Sequence, residues 1–468
     1  MIDKNTVIAA NRFGLGARPG ELDHIGDDPR GWLRSQVLHT PMAPGELAAL
    51  KPSDEILRAF FAAREERKDK KKAAAAKGDE AQKVGNLIRD ALLPHYLAQA
   101  EARVRIAART EAPFHERLVQ FWTNHFAVSV DKPVCLGIAG CLENEAIRPH
   151  VTGHFGDMLR AVEQHPAMIA YLDNQSSAGP DSQIARFASR RGNGQHKVGI
   201  NENLAREILE LHTLGVDGGY TQADVTTFAK VLTGWSIGGG KGRLAGGTEG
   251  RYFFRENLHQ PGAETLLGKT YTQSGEGQGL AVLGDLGRHP STAKHLATKL
   301  ARHFIADDPP AESVEKIAAA FRSSDGHLPT TYRALIDAPH AWEGYPAKFK
   351  TPQDFIHSTY RAFDVTPPEQ RALLAPFEVL GQRIYSPGSP AGWPDTSKDW
   401  DGSDALMKRI EWSVAVGDRL ASLRAPLDTA GQALGPALTQ HTEDALHRAA
   451  STSQGLSLLL LSPEFQRR

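Results

Sequence analysis

The stretch Asn201-Glu-Asn-Leu-Ala-Arg-Glu-Ile-Leu-Glu-Leu-His-Thr-Leu-Gly215 decides the fold class. Set at about 100° per residue, it separates into faces. Asn203, Glu207 and Glu210 form a polar stripe with Arg206 at its edge, while Leu204, Ile208 and Leu211 form an apolar one. Ala205, Leu209 and His212 close the far side, so a straight helix points His212 away from Glu210. Asn201 stands at the N-cap and Gly215 where a left-handed residue ends a helix. Thr221-Gln-Ala-Asp224 then opens the next helix as a capping box.

The same three- and four-residue spacing of apolar side chains recurs over 116–125, 156–171, 221–232, 292–304, 314–321 and 405–416, and alternating β-type runs are scarce. Pro166 and Pro290, each preceded by a histidine, stand as first residues of helices. The pattern is that of a mainly α, large multi-helix globular protein. Its exception is a short β and glycine-loop excursion around 236–275, where Gly238–Gly250 holds seven glycines in thirteen residues. Residues 1–468 are expected to form one large helical domain. Its parts are an N-terminal helical segment 1–62, a charged insertion or mobile helix 63–83, a central core 84–235, the glycine-rich part 236–285 and a C-terminal helical part 286–468.

Fifty-four basic and 55 acidic side chains leave a net charge of −1 over 468 residues. A balanced surface gives bulk nucleic acid or an anionic membrane nothing to hold, and the mixed charges of 64–83 suit a solvated face better than a nucleic-acid arm. The longest leucine-rich run, Leu456 to Leu461, is far short of the roughly 20 residues of a spanning helix. The first residues carry no apolar signal core, so the expected place is the cytoplasm unless a partner carries the chain out. Cys135 and Cys141 are expected as free thiols, with a local disulfide as the alternative.

Several signatures fail on spacing. Gly240-Lys241 lacks the upstream glycine and the following Ser or Thr of a phosphate-binding loop. No His-Glu-x-x-His helix and no Cys-x-x-Cys pair occurs. Gly234-Trp-Ser-Ile-Gly238 matches a nucleophile elbow, but a helical segment precedes it and a glycine loop follows, the reverse of what that turn requires.

The candidates that remain are polar clusters. Glu207 and Glu210 share a helix face with Asn203 between them, an arrangement that helical metal sites and acid–base pairs use and that an ordinary solvated face also produces. In Glu143–His154, Arg148 could hold an anion, and His150 and His154 lie four apart, near enough to chelate if helical. His125 lies among the aromatics of Phe121-Trp-Thr-Asn-His-Phe126, where a core imidazole is the ordinary role, and His259 is a weaker candidate. Leu118–Phe126 and Leu296–Phe304 echo one another, each ending in His-Phe.

The chain resembles a large bacterial family known as domain of unknown function 1800. The resemblance rests on Asn11-Arg-Phe-Gly-Leu-Gly16, Glu116–Phe126, Ile147-Arg-Pro-His150, His165–Asn174, Asn201–Thr221 with Leu232-Thr-Gly-Trp235, and Ser389-Pro-Ala-Gly-Trp-Pro394. It implies a predominantly helical, often exported protein encoded beside a sulfatase-like exported family, from which this chain departs in lacking an export signal.

Together these readings predict a site where His125, Arg148, His150, Asn203, Glu207 and Glu210 converge. His125, His150 and Glu207 would bind a divalent metal, and Glu207, Glu210, Arg148 and Asn203 would serve catalysis, giving a metal-dependent hydrolase. The alternative is a non-enzymatic scaffold or export partner of the sulfatase-like protein. A haem on His125 is a third reading.

Overall fold

The computed structural model describes residues 2–38, 41–77, 87–190, 199–240, 242–344 and 348–468. The helices that position the site are α1 (Ser53–Lys77), α2 (Leu87–Arg109), α3 (Pro113–His125), α4 (Phe155–Glu163), α5 (Pro166–Tyr171), α6 (Asn203–Glu207), α7 (Gln222–Val231), α8 (Pro290–Phe304) and α9 (Pro352–Ala362). Among the described residues the strands form two antiparallel hairpins. Trp235–Ile237 pairs with Tyr252–Phe254, and Glu264–Leu266 with Lys269–Tyr271, placing the β excursion where the glycines suggested. Ser236 thus sits inside a strand, its Oγ accepting from Arg255 at 3.1 Å, and no nucleophile elbow forms there.

Local chemistry sets the helix boundaries. The expected 156–171 helix is two, α4 and α5, because Pro166 carries no N–H to continue the ladder. His165 caps α5, its Nδ1 accepting the Ala167 N–H, and His289 caps α8 on Ser291 in the same way. Thr221 and Asp224 form the capping box of α7. The charged stretch after Arg64 continues α1 with most side chains exposed to Lys72; positions 78–83 lie outside the described residues. Cys135 and Cys141 are buried free thiols.

The deciding stretch is not a uniform helix. α6 ends at Glu207 and widens into a π-helical turn, Ile208–His212, before Gly215 at φ +85° reverses the chain. The N-cap position of α6 is Glu202 and not Asn201 as expected; Asn201, one residue earlier, still accepts the Asn203 N–H on Oδ1 at 2.9 Å. Two other π turns, Ala9–Phe13 and Leu142–Ile147, also fall in or against the quoted motifs. A wide turn leaves carbonyls without i−4 partners, and here two imidazoles supply them. His125 Nε2–H donates to the His212 carbonyl at 3.1 Å, and His295 Nε2–H to that of Leu211 at 3.1 Å.

A contiguous cluster of buried apolar side chains runs from Val7 to Phe465. Near its centre Trp122 donates to the Tyr332 hydroxyl at 2.7 Å and stacks on Phe126. α3 is buried on every side from Pro113 to Trp122, although it carries His115, Glu116, Arg117 and Gln120. Burying those groups unpartnered would cost several kcal/mol each. Their partners build the site.

Candidate functional site

Charged groups on α3 and α2 feed two buried ion networks. In the first, Arg148 grips Glu116 with two bonds, 2.6 and 3.0 Å, and lies 3.8 Å from Glu143. Glu143 also binds Arg103 of α2, the Tyr385 hydroxyl at 3.1 Å and the Thr123 hydroxyl at 2.9 Å. Two guanidinium groups face two carboxylates, and the account balances. In the second, Arg117 binds Asp354 of α9 at 3.0 Å, and Arg468 reaches the other Asp354 oxygen at 3.0 Å. Asp395 receives His303 at 2.6 Å, with Lys348 and Arg468 near its other oxygen at 3.5 and 3.6 Å. Burial would raise the carboxyls of Asp354 and Asp395, but these cations outweigh it and hold both well below the usual range.

Between the networks lies a cavity of about 340 Å³, in the size range of small-ligand sites. α3 lines it with Arg117, Gln120, Phe121, Thr123, Asn124 and His125; α8 contributes Lys299, Arg302 and His303, and α9 Gln353 and Asp354. The remaining wall is the chain from Gln382 to Asp399. That wall is locked to α3 by Asn124, whose Oδ1 accepts the Trp393 N–H at 2.7 Å and whose Nδ2–H donates to the Trp393 carbonyl at 2.9 Å. Gly392, at φ +83°, is required there, because a Cβ would stand 2.3 Å from the Asn124 carbonyl oxygen. The Phe-Trp-Thr-Asn-His and Ser-Pro-Ala-Gly-Trp-Pro motifs are therefore two sides of one wall.

The charges of the cavity do not cancel. Five cationic side chains reach it: Arg103, Arg117, Lys299, Arg302 and Arg383. Three are held, by Glu143, Asp354 and Asp131 respectively. Lys299 and Arg302 have no carboxylate within 4 Å among the described residues, and Arg302 donates from Nε to the Asp307 carbonyl at 3.2 Å. Both are half-buried, one turn from one another on α8. Burial, with help from Arg302, pushes the Lys299 ammonium down to about 8 against the pull of Asp395.

His303 completes this face of α8. Burial pushes its imidazole down to about 4 despite Asp395, so the ring is neutral near pH 7. Nδ1–H donates to the ionised Asp395, which leaves Nε2 as the basic nitrogen, accepting at 3.4 Å from Arg117 Nη1–H. A neutral imidazole oriented by a carboxylate is the arrangement general-base sites use.

The residues expected from the sequence are distributed differently. His125 lines the cavity; its Nε2–H caps the α6 π turn and its buried Nδ1 has no hydrogen-bond partner. Arg148 lies behind the cavity, with its guanidinium committed to Glu116. His150 donates from Nδ1 to the Ala146 carbonyl at 2.9 Å. It sits in a short 3₁₀ turn, while His154 stands at the N-cap position of α4 with its ring tilted against that of His327, so no helix holds the two as a chelating pair. Asn203 is exposed; Glu207 and Glu210 are half-buried, and Glu210 accepts from the Tyr220 hydroxyl at 3.2 Å. Glu207 is pushed up, chiefly by burial, against the pull of His212. His212, the last residue of the π turn, points inward onto Glu163 at 2.8 Å. His259, half of its imidazole bonding spent on the Thr233 carbonyl at 2.9 Å, lies in the β excursion. Among the described residues no three His, Cys, Asp or Glu side chains are placed to hold a metal ion.

Arg117, Lys299, Arg302, His303 and Asp395 were not expected as site residues. Their signal was in the echo between Leu118–Phe126 and Leu296–Phe304: both segments end in His-Phe, and both histidines line this cavity. Asp395 follows directly on the Ser389–Pro394 motif.

The fold and cavity define a mainly helical protein that buries a cation-rich, imidazole-bearing cleft at its core, with no described helix long and apolar enough to cross a membrane. The chain belongs to the family described as protein of unknown function (DUF1800), whose model matches residues 8–467, nearly its whole length. No curated protein and no solved structure matches it.

Proposed function

We propose that the protein is an enzyme that binds a small anionic substrate in the cleft between α3, α8 and α9 and acts on it by general-base catalysis at His303. The observation that carries this reading is the pair of half-buried cations without carboxylate partners, Lys299 and Arg302, beside a histidine whose other nitrogen is fixed by Asp395. A protein that desolvates two charges without pairing them gains when an anion supplies the missing charge. Arg302 and Lys299 anchor that anion. On exchanging its 3.4 Å contact with Arg117 for a water or the substrate, His303 Nε2 takes a proton from it, and Asp395 stabilises the imidazolium that results. Hydrolysis of an anionic ester is one reaction this geometry serves. A metal-bound water held by His125, His150 and Glu207 has less support, because the ring nitrogens of His125 and His150 are partly spent on carbonyls and no ligand cluster forms among the described residues.

The test is turnover of a panel of anionic esters and oxo acids by the wild type and His303→Gln, with inorganic phosphate binding measured on both. The proposal expects turnover lost by roughly 10²-fold or more in His303→Gln, as general-base removal costs, with phosphate binding retained. Equal turnover in the two proteins, or no phosphate binding by the wild type, would overturn it.

A further inference from the structure

We propose that Lys299 is a nucleophilic amine that condenses with the carbonyl of a small oxo acid held in the cleft, forming an imine. The inference rests on the anion-binding reading above and names the substrate class.

Four observations converge on it. Lys299 is part of the cavity wall and half-buried there, and among the described residues no ion pair or hydrogen bond ties its amine down. It shares one face of α8 with Arg302 at i+3 and His303 at i+4, which places an anion anchor and a base about one helical turn from the amine. The groups facing it are Asp395, Arg302 and His303 with the neutral rings of His125 and His295, so burial and a neighbouring cation work together to keep part of the amine uncharged near neutral pH. The other strongly perturbed lysine, Lys350, is sealed: it is 1% exposed and donates to the Ser358 hydroxyl at 3.0 Å. Lys348 is engaged by Asp307 at 3.1 Å.

The step balances without an external oxidant or reductant. The Lys299 nitrogen lone pair adds to the carbonyl carbon of the oxo acid, giving a carbinolamine. Loss of its hydroxyl as water, with a proton delivered to that oxygen, yields the iminium; His303, one turn along the same helix, accepts and returns the proton once its Nε2 exchanges Arg117 for the reacting group. The carboxylate of the substrate lies on Arg302, which suits planar bidentate recognition.

The experiment uses the full-length protein, glyoxylate and pyruvate as probes, and cyanoborohydride to reduce any imine to a stable secondary amine, followed by peptide mass mapping. The expected result is modification at Lys299 at least tenfold faster than at Lys294, an exposed lysine on the same helix, and slowed by inorganic phosphate. Lys299→Arg, which keeps a positive charge but presents no amine able to form an imine, should abolish the adduct at residue 299. Phosphate binding with modification spread over exposed lysines, or none at Lys299, would overturn the imine and leave the anion site standing. Absence of phosphate binding would overturn the reading on which it rests. The wild-type map decides the matter by itself if Lys299→Arg fails to fold.

Discussion

Two ion networks flank one cavity, and they differ in a single respect. The Glu116–Arg148–Glu143–Arg103 network is balanced: each guanidinium has a carboxylate, and hydroxyls of Thr123 and Tyr385 fill the remaining acceptor sites. The network around Asp354 and Asp395, with Asp307 beside it, serves Arg117, Arg468, Lys348 and His303, and then α8 adds Lys299 and Arg302 with no carboxylate within 4 Å of them among the described residues. A balanced buried network holds parts of a fold in register, whereas a surplus of one sign at a cavity wall is a cost that a ligand of the other sign removes. The comparison therefore separates scaffold from site.

The largest effect should come from unbalancing the first network. Arg148→Met leaves Glu116 buried and unpaired and is expected to cost about 3–5 kcal/mol in chemical denaturation, with much of that recovered in Arg148→Met/Glu116→Leu. A loss below about 1 kcal/mol would mean that the pair is not the buried anchor its geometry indicates. The second network should respond with the opposite sign. Lys299→Met removes an unpartnered, half-buried charge, and stability is expected to be unchanged or raised by about 0.5–1 kcal/mol, as at functional sites that trade stability for activity. Destabilisation as large as that of Arg148→Met would erase the distinction.

The pH dependence gives an intermediate effect. His115, His295 and His303 are pushed down to about 4 and His357 to about 3, all by burial first. In the unfolded chain each titrates near 6.5, so between about 6.5 and 4 the unfolded state binds more protons. The stability these rings contribute is fully present above about 6.5 and is lost as pH falls toward about 4. The melting temperature should fall through that window, before the bulk of the carboxylates titrate; a flat profile down to pH 4 would show that the rings are not buried neutral. Phosphate binding should weaken in the other direction, as pH rises through about 8 and Lys299 loses its charge. Smallest of all, Glu207→Gln on the polar stripe of α6 should change stability by no more than about 0.5 kcal/mol and leave phosphate binding untouched. A loss of binding there would move the site toward α6.

The helical class was legible from periodicity, and so were the local devices that depend on few residues: the Thr221–Asp224 box, the prolines after His165 and His289, and the glycine excursion that becomes two hairpins. What the 3.6-residue pattern could not carry was the π turn at Ile208–His212, since a wide turn changes the spacing on which the wheel rests. The site was legible only in part. His125 lies at the cavity, yet α3 has Glu116 and Arg117 adjacent in sequence and committed to different networks, a division set by α9 and by the 382–399 wall. Polar residues on a helix read as a solvated face unless its burial on all sides is known. For the same reason the carboxylates of α6 stood out in the sequence, and the cations of α8, spread among alanines and leucines, did not.

Lys299 and Arg302 are proposed to hold an anion in the cleft. Calorimetric titration of the wild type and of Lys299→Ala/Arg302→Ala with inorganic phosphate at low ionic strength tests it most directly. The account predicts one phosphate site per chain, and in the double variant an affinity at least tenfold lower, about 1.4 kcal/mol or more, with the fold intact by circular dichroism. Equal affinity in the two proteins, or no saturable binding to the wild type, would contradict it.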